Sequence, residues 1–182
     1  MLKIKLENFE DALKLLNEKL KINHLSITIR AVGGFAMLKN ELRNDGYTMD
    51  IDTATKKYSE KVMQLIRNVS EELDIDEDWL NNDCNYLDAL SGVRKQLNWI
   101  ADKNYSNIKL YYADANSLLL LKARAIEKSG LLLPRQQDKD DLLELLSYFG
   151  IKNVNEVKQN PVSQFIVSYQ FTMKFLNEVK EW

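Results

Sequence analysis

The chain is poor in the residues that build disulfide frameworks, zinc clusters and flexible linkers. Among 182 residues there are one cysteine, one histidine, two prolines and six glycines. Cys84 alone cannot form an internal disulfide, which favours a reducing compartment. His24 has no cysteine near it with which to bind a metal. Few prolines and glycines leave little material for linkers, and the sequence shows no internal repeat or low-complexity tract.

Long apolar runs and a strong charge of one sign are absent as well. No segment approaches the roughly 18 consecutive apolar residues of a membrane-spanning helix. Residues 1–5 lack the apolar run and cleavage site of a signal peptide. A formal charge of −2 and a pI of about 5.6 exclude a general nucleic-acid coat protein, although a local basic patch remains compatible with them. We therefore expect a cytoplasmic protein with no membrane partner.

Apolar periodicity and β-branched runs predict alternating helices and strands in the first 114 residues. The helices are expected over 7–20, 57–73 and 86–101, and the strands over 25–32, 47–53 and 108–113. Gly33-Gly34 ends the first strand, and a helical pattern resumes at Phe35.

The remainder of the chain has helical periodicity throughout. Segments near 115–129, 138–148 and 162–180 are predicted helices. The last one carries an apolar stripe that either packs into the core or contacts a partner. Early strands and late helices predict an α/β (α+β) fold, a small mixed sheet flanked by helices with a helical C-terminal half. We place the core in residues 1–114 and the helical region, packed on it, in 115–182.

Two aspartates stand two residues apart on the predicted second strand. Asp50 and Asp52 should leave one face of the sheet while Ile51 enters the opposite layer. Two carboxylates this close repel each other unless a cation lies between them, and Mg²⁺ is commonly bound by one or two carboxylates plus substrate phosphates. The alternative is an exposed acidic pair near a turn.

A glycine pair precedes these aspartates by one predicted strand. Gly33 and Gly34 stand where a strand ends and a helix begins, so unpaired backbone N–H groups and the helix dipole favour an anion. Without a β-carbon, a phosphate approaches the backbone closely. The alternative is an ordinary tight turn. Together, a phosphate cradle and a metal-holding pair form the layout that nucleotidyl transfer requires.

Five segments resemble a known superfamily. Residues 31–36 and 47–52 are similar to the signature of the DNA polymerase β-like nucleotidyltransferases, a hydrophobic residue and Gly-Gly followed by Asp-hydrophobic-Asp. Residues 78–81, Asp-Trp-Leu-Asn, resemble a segment common in its small bacterial members. Residues 117–122 and 135–142 resemble the S-x-x-x-x-K and R-x-x-D-x-x-D-L motifs of abortive-infection (AbiE-type) toxins.

This resemblance implies nucleotidyltransferase topology and transfer of a nucleoside monophosphate from NTP to an acceptor. The acceptor would be RNA, such as a tRNA end, or a protein hydroxyl, and a toxin-like role implies a cognate antitoxin. The implied site residues are Asp50 and Asp52 for Mg²⁺, Gly33, Gly34 and Ser117 for the nucleotide, Lys122 for phosphate charge, and Asp138 and Asp141 for positioning the substrate or a base.

Each later motif also has a plain structural interpretation. Lys122 could mark the solvent edge of a leucine-rich helix, and Asp138 with Asp141 could cap the next one. The third carboxylate implied by the resemblance has no clear candidate, although Asp102 and Asp114 flank the third strand. Two further hypotheses therefore stand beside the enzyme: a degenerate fold that only binds nucleotide or protein, and a structural or interaction protein.

Overall fold

The structure is a computed structural model that describes residues 4–43, 46–84, 97–130, 134–179 and 181–182. The chain divides into two units, Met1–Asp114 and Ala115–Trp182. Among the described residues there are seven α-helices and a three-stranded mixed sheet, which confirms the mixed α/β class. No helix in these ranges combines the length and apolar character needed to cross a membrane.

All the strands among the described residues belong to the first unit. Its elements are β1 (Ile4–Lys5), α1 (Leu6–Ile22), β2 (Ile27–Ala31), α2 (Gly33–Lys39), β3 (Tyr47–Thr48), β4 (Ile51–Asp52), α3 (Glu60–Leu73), β5 (Leu80–Asn81), β6 (Trp99–Asp102) and β7 (Ile108–Ala113). The second unit contains α4 (Ala115–Ser129), α5 (Gln136–Tyr148), α6 (Val154–Gln159), a 3₁₀ helix (Gln164–Ser168) and α7 (Gln170–Val179).

The main sheet has the strand order β2-β7-β6, with β2 parallel and β6 antiparallel to β7. The segment after β4 lies along the other side of β2. There, the Val32 N–H donates to the Asp52 carbonyl at 2.9 Å and the Ala54 N–H to the Arg30 carbonyl at 2.9 Å. The remaining strands form two short pairs. β1 pairs with β3 in antiparallel orientation, and β4 pairs with β5 in parallel orientation.

One face of this sheet forms the core of the first unit. Side chains along β2 alternate between buried and half-buried, and α1 and α3 supply apolar stripes to the core. Trp79 is fully buried, and its indole N–H donates to the carbonyl of Ile66 at 3.2 Å. The core cluster includes Phe9, Leu13, Leu16, Leu20, Ile27, Ile29, Ile51, Ile66, Ile108 and Leu110.

In the second unit, Glu127 joins two helices. Its carboxylate accepts hydrogen bonds from the backbone N–H groups of Gln170, Phe171 and Thr172, which begin α7. These groups have no partner within their own helix, and a negative charge beside them is also favoured by the helix dipole. A side chain on α4 therefore caps α7.

Three predicted elements are wrong in part. The strand predicted over 47–53 is broken at Met49-Asp50 because its halves have different partners, β3 pairing with β1 and β4 with β5. The helix predicted over 86–101 overlaps β6, and residues 86–96 lie outside the described residues. The helix predicted over 162–180 is a 3₁₀ helix followed by α7. The glycine pair opens a helix as expected, but the helix begins at Gly33 and not at Phe35.

Candidate functional site

The two aspartates flank a residue of the core. Ile51 is fully buried, whereas Asp50 and Asp52 are half-buried. An antiparallel bridge pairs Ala31 with Thr53, and both are fully buried on the core side. Since side chains alternate along a strand, Asp52 leaves the opposite face of the sheet.

Asn81 on β5 belongs to the same site, and sequence reasoning assigned it no role. It is in register with Asp52 across the parallel pair, so their side chains share one face. The Asn81 side-chain N–H donates to the Asp50 carboxylate at 3.3 Å. The only signal in the sequence was its place in the segment 78–81. The structure thus brings together Asp50, Asp52 and Asn81.

Both glycines stand where neighbouring side chains leave no room for a β-carbon. Gly33 has φ +61°, and a β-carbon there would lie 2.9 Å from the Asp52 carboxylate oxygen Oδ2. A β-carbon at Gly34 would overlap the hydroxyl of Thr48 and lie 2.6 Å from an Arg43 guanidinium nitrogen. The close approach of these side chains accounts for the glycine pair without a ligand, and the phosphate cradle stays a prediction.

Arg30 lies on the same face of the sheet as Asp52. It is half-buried on β2, two residues before Val32, which pairs with Asp52. Its guanidinium carbon lies 5.8 Å from the ring centroid of Tyr111, its neighbour in register on β7. Within the described part of the chain, no carboxylate forms an ion pair with Arg30. This face therefore carries a cation that is stacked on an aromatic ring and has no counter-ion there.

The remaining predicted site residues lie in the second unit and form a group of their own. Lys122 on α4 places its ammonium nitrogen 2.8 Å from Asp138 and 2.7 Å from Asp141, both on α5. All three residues are buried. Arg135 adds a bond to the other oxygen of Asp138 at 3.1 Å. Ser117, in the first turns of α4, is buried as well.

This group differs from both plain structural interpretations. Lys122 is 8% exposed, so it does not mark a solvent edge. Arg135 is the N-cap residue of α5, and Asp138 binds Lys122 and Arg135 instead of capping the helix. Burial by itself would raise the pKa of Asp138, but the charges and hydrogen bonds of Lys122 and Arg135 outweigh burial and lower it. The carboxylates that surround Lys122 already balance its charge.

No protein-family model, curated protein or solved structure matches the chain. The assignment of the motifs to a superfamily therefore stays a prediction, and the chemistry has to be argued from the residues themselves.

The oxygen donors at Asp50 and Asp52 suit a hard divalent cation. Mg²⁺ takes one or two carboxylates and completes its shell with water and substrate phosphates. Asp102 is not part of this site, because its partner in register is the core-facing Leu110 and it forms an ion pair with Lys39 at 2.9 Å. Asp114 directly follows β7. Among the described residues, no group of three or more His, Cys, Asp or Glu side chains could hold a metal.

Proposed function

We propose that this chain is a metal-dependent nucleotidyltransferase that moves a nucleoside monophosphate from NTP to a hydroxyl of an acceptor, either RNA or protein. The observation that carries the proposal is that the hydrogen-bond donor of Asp50, Asn81, lies in register with Asp52 and therefore on the same face of the sheet. Asp52 lies against Gly33 where β2 turns into α2, and Asp50 is held beside it by Asn81. The resemblance of residues 31–36 and 47–52 to the polymerase β-like signature supports the same activity.

In the proposed reaction the acceptor oxygen forms a bond to the α-phosphorus of NTP. The bond between that phosphorus and the oxygen bridging to the β-phosphate breaks, pyrophosphate leaves, and the hydroxyl proton passes to solvent or a base. Asp50 and Asp52 would hold Mg²⁺, which neutralises phosphate charge and lowers the pKa of the attacking hydroxyl. The backbone at Gly33 and Gly34 would lie beside the β,γ-phosphates.

We assign the phosphate-binding cation of this face to Arg30 in place of Lys122. Lys122 is bound by Asp138 and Asp141, so using it for phosphate would take a compensating cation away from two buried carboxylates. Arg30 projects from the face that carries Asp52, and a planar guanidinium suits phosphate. In this proposal Lys122, Asp138 and Asp141 stabilise the second unit. The toxin-like role, its antitoxin and the cytoplasmic location remain parts of the proposal.

The test incubates the full chain with α-labelled NTPs, Mg²⁺ and total tRNA. The variant is Asp50→Asn/Asp52→Asn, and the matched control is Glu71→Gln/Glu77→Gln, which neutralises two exposed carboxylates in the same unit. We expect the wild type and the control to label RNA or protein, and the site variant to lose about 100-fold or more of the rate. Absence of labelling by the wild type, or equal labelling by the site variant, would refute the activity.

One observation favours a second candidate, a domain that binds nucleotide or protein without turnover. The residue in register with Asp52 is Asn81, an amide, where a further carboxylate would strengthen a catalytic metal site. Magnesium-dependent binding of NTP that depends on Asp50 and Asp52, with no transfer to any acceptor, would establish this function instead.

A further inference from the structure

The position of Asn81 is fixed by its backbone. On β5 it is in register with Asp52, and the hydrogen bonds of the pair run from the Ile51 N–H to the Trp79 carbonyl at 2.7 Å and from the Thr53 N–H to the Asn81 carbonyl at 3.2 Å. Trp79, just before β5, is fully buried. The backbone that carries the Asn81 side chain is therefore held by the strand ladder, two residues after a buried core residue.

The orientation of its amide is fixed as well. The amide nitrogen donates to the Asp50 carboxylate at 3.3 Å, and the amide oxygen accepts the backbone N–H of Asp83 at 2.9 Å. Turning the amide over would place its oxygen against a carboxylate and its N–H₂ against another N–H. Both contacts would be repulsive, so Asn81 presents a donor to Asp50.

The hydrogen bond from Asn81 is one anchor of Asp50. Asp50 lies between β3 and β4, outside both strands, so neither ladder fixes its backbone. Its neighbour Asp52 belongs to β4 and is held on both sides, by β5 and by the Val32 N–H. A carboxylate pair can hold one cation only if both members are placed, and Asn81 holds the one that the strands do not.

We infer that Asn81 is a positioning residue, which holds the Asp50 carboxylate in place for a divalent cation while its neutral amide keeps the site at two negative charges. The inference rests on the proposed function, because it requires a cation at Asp50 and Asp52. The partners that orient a ligand commonly contribute about 10- to 100-fold in metal affinity.

The experiment titrates the full metal-free chain with Mn²⁺ and follows free ion by electron paramagnetic resonance. The variants are Asn81→Ala, Asn81→Leu and Asp50→Asn/Asp52→Asn. Asn82→Ala is the matched control, because Asn82 makes a similar hydrogen bond to the Thr53 hydroxyl at 2.9 Å, one residue further along. Circular dichroism verifies that each variant is folded.

We expect Asn81→Ala to weaken Mn²⁺ binding about 10- to 100-fold and Asn82→Ala to stay within about threefold of the wild type. Asn81→Leu keeps a similarly branched side chain and removes the donor, so it should lose affinity to a similar extent. If Asn81→Ala does not fold, Asn81→Leu decides.

Wild-type affinity in Asn81→Ala, or an equal loss in Asn82→Ala, would overturn the inference while leaving the proposed function intact. Wild-type affinity in a folded Asn81→Leu would also overturn it. If the wild type and Asp50→Asn/Asp52→Asn bind Mn²⁺ equally, the proposed metal site itself fails, and the inference fails with it.

Discussion

The ammonium nitrogen of Lys122 lies 2.7 Å from a carboxylate oxygen of Asp141, and both residues are under 10% exposed. This pair and the bond from Lys122 to Asp138 join α4 to α5 inside the second unit. Desolvating three charges is costly, and their mutual contact, together with the bond from Arg135 to Asp138, offsets the cost. Removing any one of the three charges therefore leaves the desolvation cost of the others less compensated and destabilises the second unit.

Replacing Lys122 by methionine should lower the free energy of unfolding by about 3–5 kcal/mol, because two buried carboxylates lose the cation that they share. Urea denaturation of the full chain followed by circular dichroism measures the change. Lys158→Met is the matched control on the exposed surface of α6 and should stay within about 0.5 kcal/mol of the wild type. Equal stability of the two variants would show that the buried ion pairs contribute nothing measurable.

The lowered pKa of Asp138 predicts a loss of stability in acid. Because its pKa is lower in the folded chain, its contribution is complete above the unfolded-state pKa of about 4. The contribution disappears as pH falls through the folded-state value. Between pH 6 and pH 3 the wild type should therefore lose more unfolding free energy than Asp138→Asn. Parallel pH profiles for the two proteins would contradict the assignment.

Gly33→Ala should be more damaging than an alanine at another glycine of positive φ. Both Gly33 (φ +61°) and Gly150 (φ +71°) strain an alanine by about 1–2 kcal/mol, but only at Gly33 does the new β-carbon meet a side chain, the Asp52 carboxylate. Thermal unfolding and Mn²⁺ titration of the two variants separate the effects. Gly33→Ala should lose metal affinity and Gly150→Ala should keep it. Equal metal affinity would show that Asp52 tolerates the contact.

Arg30→Ala should weaken binding of inorganic triphosphate with Mg²⁺ by about tenfold or more, because a charge-assisted hydrogen bond to phosphate is lost. Lys109→Ala removes an exposed charge from the adjacent strand and should change binding less than about threefold. Isothermal titration calorimetry provides both values. If Lys109→Ala weakened triphosphate binding more than Arg30→Ala does, the assignment of the phosphate site to Arg30 would be wrong.

The elements that could be predicted from the sequence are those whose pattern is local. The β-branched runs at 27–31 and 108–113 and the apolar stripes of α1 and α3 show their period within one segment. The two-residue strand β5 shows no such period, and its pairing with β4 depends on the fold. β6 is a strand because β7 pairs with it, although its residues also continue a helical pattern.

The same distinction applies to the site. Asp50, Asp52 and the two glycines form a compact motif, so the sequence indicated them together. The partners of Lys122 could not be predicted, because Asp138 is 16 residues away on another helix and burial changes what a lysine does. Asn81 was missed because its part in the site comes from register with Asp52 and a contact across 31 residues to Asp50.

The most direct measurement compares α-labelled with γ-labelled NTP in otherwise identical reactions containing Mg²⁺, total tRNA and the full chain. Nucleotidyl transfer leaves the α-label on the acceptor and releases the γ-label as pyrophosphate, and Asp50→Asn/Asp52→Asn should abolish the α-labelling. Transfer of the γ-label to the acceptor, or α-labelling that survives the double substitution, would contradict the account.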